Sequence, residues 1–110
     1  MKKGEIWQIN LDPTIGAEMR KMRPALIINN DALGKLPLKI IVPITDWKDQ
    51  YSNYPWMLKI TPSEQNGLAK VSAADCFQIR NVSVQRFAAM VGSVEPIIIT
   101  KIHEAISQVI

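Results

Sequence analysis

The apolar residues of this chain change their period once. From Pro96 onward, Ile98, Ile99, Ile102, Ala105, Ile106 and Val109 recur at helical spacing, with Lys101, Glu104 and Gln108 on the other face. Pro96 suits the first turn of that helix, and Ser93 or Glu95 is placed to satisfy its free amides. The preceding residues read as short apolar segments cut by Pro, Gly, Asn and Asp, which is the patterning of strands and turns. A chain of this kind has one helix to cover a set of short strands. The expected fold is mainly β (α+β): a small, strongly curved antiparallel sheet or partly open barrel with a C-terminal helix packed on it.

Residues 5–11 alternate, with Trp7, Ile9 and Leu11 on one face and Gln8 and Asn10 on the other, as in a half-buried strand. Strands are also expected over 24–29, over 39–45 with both faces buried, and over 56–61. Pro43 lacks an amide donor, so it is expected at an edge, at a bulge or near a strand end. Residues 46–55 read as an exposed loop, and 62–67 as a turn. One or two strands are expected within 68–79, a short helical turn at 82–87, and a last strand over 88–94 interrupted by Gly92.

At 110 residues the chain suits a single domain, 1–110, with one core. Its 47% hydrophobic content is that of a globular protein, and no segment nears the roughly 20 apolar residues of a membrane span. The alternation after Lys2 and Lys3 does not fit a signal peptide. The single cysteine, Cys76, builds neither an internal disulfide nor a zinc site, so a cytoplasmic setting is expected. A net charge of +3 mildly favours a polyanionic partner.

The charge distribution says more. Arg20, Lys21 and Arg23 fall within four positions of a turn-rich stretch that runs into Pro24 and the apolar segment Ala25-Leu26-Ile27-Ile28. Arg23 is thus expected where a loop meets a rigid strand, beside the fixed φ of Pro24. Its guanidinium is always charged and its planar fork of donors matches phosphate oxygens. A second segment, Ile41-Val42-Pro43-Ile44-Thr45, ends an apolar run with a hydroxyl.

With these segments in hand, the chain resembles the MazF/PemK (Kid) family of toxin endoribonucleases from type II toxin–antitoxin modules. The matching pieces are Lys3-Gly4-Glu5-Ile6-Trp7, Leu11-Asp12-Pro13-Thr14, Gly16-Ala17-Glu18, Arg23-Pro24-Ala25-Leu26-Ile27-Ile28, Asn30-Asp31, Val42-Pro43-Ile44-Thr45, Gln78-Ile79-Arg80 and Gln85-Arg86-Phe87. They occur in order over nearly the whole chain. The resemblance implies an SH3-like barrel of the MazF/CcdB type, a homodimer, and metal-independent, sequence-selective cleavage of single-stranded RNA (mRNA) without a cofactor. It also implies a cognate antitoxin, MazE-like with an acidic tail, that covers the RNA groove. The family's active-site arginine and threonine match Arg23 and Thr45. Some PemK-type members use an aspartate just before the Gln-x-Arg segment and an arginine two positions earlier. Here Phe77 and Asp75 stand in those places, so that catalytic variant does not carry over.

The chemistry agrees with these residues. RNA brings its own nucleophile, the 2′-hydroxyl, so the protein supplies positioning, proton transfer and stabilisation of a pentavalent anion. Arg23 suits the last role and Thr45 suits a hydrogen bond to a phosphate oxygen or the 2′-hydroxyl. Arginine is a poor general base, which makes Glu18 a candidate proton acceptor. Gln78, Arg80, Arg20, Lys21 and Trp47 are candidate RNA contacts, with Tyr51 and Tyr54 as further stacking rings and Asn29, Asn30 and Asp31 as turn residues or readers of base edges. His103 falls in the helix, where a structural or surface role is expected, and Trp56 and Cys76 read as core. Two alternatives stay open: a gyrase-binding toxin like CcdB, which shares this fold, and a non-catalytic homologue. Ending in Ser107-Gln108-Val109-Ile110 with no nearby tryptophan argues against the first.

Overall fold

A computed structural model describes residues 1–11 and 22–110. Seven strands precede one helix: β1 (Glu5–Asn10), β2 (Met22–Ile27), β3 (Leu38–Asp46), β4 (Met57–Ile60), β5 (Ser72–Asp75), β6 (Arg80–Ser83), β7 (Phe87–Ser93) and α1 (Pro96–Ser107). The strands form one antiparallel sheet in the order β4-β5-β3-β2-β1-β7, with β6 paired to the first half of β3. Curved sheet and C-terminal helix are as the sequence pattern requires. The basic loop with Glu18, Arg20 and Lys21 falls in 12–21, outside the described residues.

Alternation along the strands divides the buried side chains between two faces. Ile6, Leu26, Val42, Ile44 and Ala74 meet Ile102 and Ala105 of α1 in the larger core. Ile9, Ala25, Ile27, Ile41 and Val82 form a smaller core on the opposite face, covered by Trp7, Leu11 and Phe87. The helix thus packs through the positions its 3.6-residue period selects. β1 is covered on both sides instead of half-buried, because Ile6 joins the helix-side core and Asn10 is also buried.

Long-range pairing overrode several local expectations. Residues 82 and 83, expected to open a helical turn over 82–87, instead end β6 and pair with β3, and only Val84–Arg86 forms a 3₁₀ turn. Within 68–79 there is one strand, β5, followed by a 3₁₀ turn at Cys76–Gln78. Gly92 does not interrupt β7. It lies beside a bulge where the register with β1 shifts between Ile6 and Trp7, and a Cβ there would overlap the Gln65 carbonyl oxygen. The 63–67 turn therefore packs on β7, where the Ser93 amide donates to Gln65 O at 3.0 Å. Through this turn the edges β4 and β7, which do not pair, are drawn together. At the helix start Glu95 is the N-cap residue but makes no side-chain cap bond, and Ser93 Oγ instead accepts from Gln65 Nε2.

Pro43 sits in mid-strand, where an edge, a bulge or a strand end was expected, and the ladder explains why. The Ile28 amide donates to Ile40 O at 3.0 Å, which directs the even-numbered amides of β3 toward β2 and the odd-numbered ones away from it. Trp47, whose amide donates to Val71 O at 3.1 Å on the β5 side, agrees. The missing N–H of Pro43 therefore faces the side where β3 changes partner, from β6, which ends at Ile41, to β5, which begins at Ile44. The chain between β5 and β6 makes its 3₁₀ excursion opposite this gap. By the same parity Pro24 lacks the amide that would face Ile44, and the β2–β3 pairing stops one residue earlier, at Ala25 with Pro43.

Candidate active site

Where these two prolines end their ladders, a cleft of about 500 Å³ opens on the sheet face opposite α1. Carrying the β2–β3 register two residues past Ala25 and Pro43 brings Arg23 opposite Thr45, in the alignment where side chains approach most closely. Both line the cleft. Arg23 shares its side of β2 with Ala25 and Ile27, which are buried in the smaller core. A rigid strand thus holds the base of the side chain, while the guanidinium is exposed. Among the described residues no carboxylate pairs with it.

The other walls come from the excursion after β5. Asp75, at the end of β5, is only 9% exposed, and its Oδ1 accepts from the Phe77 amide at 3.2 Å while Oδ2 accepts from Gln78 Nε2 at 2.9 Å. Gln78 closes the 3₁₀ turn, and Arg80 opens β6 with its Nη1 donating to Leu11 O at 3.5 Å. Leu11, Asp75, Gln78 and Arg80, with Tyr51, line the same cleft. Among the described residues, two guanidinium groups and one carboxylate leave the walls net positive, which suits a phosphodiester. Burial of Cys76, reinforced by the negative charge of Asp75, pushes its thiol up to about 12, so it stays protonated and inert at neutral pH.

Of the residues named from sequence, Arg23, Thr45, Tyr51, Gln78 and Arg80 come together here. Trp47 lies beside the cleft without lining it: it meets Tyr51 edge-on at 5.8 Å, and Lys59 Nζ stands 5.1 Å from its ring centroid. Asn30 accepts a turn bond from the Ala32 amide, Asp31 accepts from the distant Lys3 amide and Asn29 from that of Ile40, so all three are engaged structurally. His103 is exposed on α1, across the sheet. Asp75 is the cleft residue that sequence reasoning passed over, having treated it only as a missing arginine. A signal was present, since Ser72-Ala73-Ala74 is a small-residue strand and a carboxylate ending it is costly to bury without a purpose. Among the described residues no group of three or more His, Cys, Asp or Glu side chains is placed to hold a metal ion.

Comparison with known proteins gives this cleft its context. The sequence model of a family described as PemK-like, MazF-like toxin of type II toxin–antitoxin system matches residues 2–110. Endoribonuclease MazF9 of Mycobacterium tuberculosis is 29% identical over 112 residues, covering 96% of this chain and 92% of that protein. A MazF structure from Deinococcus radiodurans superimposes with a TM-score of 0.76 at 18% identity, over 99% of this chain and 94% of that one. An endoribonuclease from a mycobacterial species, in complex with its cognate antitoxin, gives a TM-score of 0.73 at 19% identity, over 96% and 90% of the two chains.

Proposed function

The chain belongs to the PemK-like, MazF-like toxin family of type II toxin–antitoxin systems, and from that premise we propose that it is an endoribonuclease working at the cleft between β2 and β3. The observation that carries the reading is the meeting of Arg23 and Thr45, from separate strands, in one net-positive cleft. A gyrase-binding role like that of CcdB loses its ground, because the relatives carry endoribonuclease names.

The substrate is single-stranded RNA. Its 2′-hydroxyl attacks the adjacent phosphorus in line with the leaving 5′-oxygen, and negative charge builds on the non-bridging oxygens. Arg23 offers these a bidentate, charge-assisted pair of donors, and Thr45 Oγ1 adds a hydrogen bond from the facing strand. Stabilisation that strengthens as the charge develops accelerates the chemical step. Gln78 and Arg80 hold the flanking backbone, and the arginines set the register of the scissile phosphate. Because the nucleophile is part of the substrate, no metal-bound water is required.

An acidic antitoxin segment fits the same cleft and competes with RNA for its guanidinium groups. The toxin acts in the cytoplasm as a homodimer. Incubating the chain with mixed-sequence RNA and a chelator, alongside Arg23→Ala, tests the mechanism. The wild type should cleave in chelator and leave 2′,3′-cyclic phosphate ends, and Arg23→Ala should lose about 10²–10³ in rate. Cleavage abolished by the chelator, or undiminished in the variant, would sink it.

A further inference from the structure

The described residues of the cleft offer few groups able to accept a proton from a reacting hydroxyl. Arg23 and Arg80 are permanently charged donors, and the Thr45 and Tyr51 hydroxyls do not hold an extra proton. Cys76 is fully buried with its thiol pushed up to about 12. That leaves the carboxylate of Asp75.

Two donors hold this carboxylate in place, the Phe77 amide on Oδ1 and Gln78 Nε2 on Oδ2. Each oxygen keeps a second lone-pair site. The cap bond from the Phe77 amide needs only one side-chain oxygen, which Asn or Ser would also supply. Against a polyanionic substrate a carboxylate is a handicap to binding. Its presence beside Arg23 and Thr45 calls for a chemical role. Resting on the endoribonuclease reading above, we propose that Asp75 is a catalytic residue, the general base that accepts the 2′-hydroxyl proton.

The step balances without a co-reactant. The 2′-O–H proton passes to a carboxylate oxygen of Asp75 as the 2′-oxygen–phosphorus bond forms and the bond from phosphorus to the 5′-oxygen breaks. The leaving 5′-oxygen takes a proton from water, and Asp75 returns its own to solvent. The products are a 2′,3′-cyclic phosphate and a 5′-hydroxyl. Among the described residues, the charged and titratable groups around Asp75 are Arg23 on β2, Arg80 on β6, Tyr51 ahead of β4, and the adjoining Cys76. Gln78, which bonds the carboxylate, is a positioning residue in this scheme.

The test compares Asp75→Asn with wild type on an RNA of mapped cleavage site, from about pH 5 to 9. Asparagine retains a side-chain oxygen for the Phe77 amide but has no basicity. The variant should keep KM within a few fold and lose about 10²–10⁴ in kcat. Its residual rate should rise about tenfold per pH unit, because hydroxide replaces the lost base, whereas a structural role would leave the profile parallel to wild type. A kcat within about threefold of wild type, an unchanged pH profile, or the same hydroxide signature in Glu18→Gln instead would overturn the assignment. If Asp75→Asn does not fold, Asp75→Glu carries the test: a retained wild-type profile supports the base, and hydroxide dependence overturns it. Wild-type cleavage of RNA that lacks every 2′-hydroxyl would overturn the endoribonuclease mechanism itself, whereas cyclic phosphate ends from an unaffected Asn variant sink only Asp75.

Discussion

A hydroxyl at position 45 and a methyl beside it do different jobs. Thr45 stands in the second half of β3, between its pairing with Ala73 and the cleft. Thr45→Ser keeps the donor and loses only the methyl, so cleavage should stay within about tenfold of wild type, while Thr45→Ala should lose about 10² with an unchanged melting temperature. A Thr45→Ala chain that melts early would show the residue to be structural. Cys76 makes a separate point about pH. Its thiol is raised on folding from an ordinary 9.0 to about 12, so the stability it contributes is complete below pH 9 and is lost as the pH rises toward 12. The loss is of order 1 kcal/mol per pH unit across that window. Thermal unfolding measured from pH 9 to 12 should therefore fall more steeply for wild type than for Cys76→Ala.

At the scale of strands, the prolines shape the site by what they withhold. Pro43→Ala restores an amide facing the carbonyl of Asp75, where carrying the β3–β5 register one residue on makes the two residues opposite. The ladder can then close across the cleft floor, so the melting temperature should hold or rise while cleavage falls by up to about 10²-fold through misplacement of Asp75 and Gln78. An unchanged rate would separate the proline from the site. Gly92→Ala should act the other way, destabilising by about 1–3 kcal/mol, because its Cβ meets the Gln65 and Asn66 carbonyl oxygens. The helix, the first three strands and the pair Arg23 and Thr45 were legible in the sequence, because periodicity and a short Arg-Pro step are local signals. The place of Pro43 and the existence of β6 were not. Both depend on which strand lies beside β3, and that is decided by pairing between residues some forty positions apart. Asp75 stayed hidden for the same reason: its neighbour Cys76 faces the helix-side core, and only the fold shows that the carboxylate turns to the cleft.

For the molecule as a whole, charge sets how the substrate is met. Arg23 and Arg80 both line the cleft, so 1/KM should fall with salt with a logarithmic slope of at least about −1.4, given roughly −0.7 per phosphate contact on a single strand. Arg80→Gln should make that slope shallower by about 0.7, and a slope that does not change would remove Arg80 from the phosphate path. Association with an acidic antitoxin should slow over the same range of ionic strength. The chain also carries its helix on one side of the sheet and its cleft on the other. Ile102→Ala, in the helix-side core, should lower stability by about 2–5 kcal/mol while leaving kcat intact below the melting transition. Combined with Arg23→Ala, its effects should simply add, since the two residues lie on opposite faces of the sheet and share no partner among the described residues. Substitutions in the helix-side core are then limited by a melting threshold and those lining the cleft by turnover, so the two sets of positions are free to change at unequal rates.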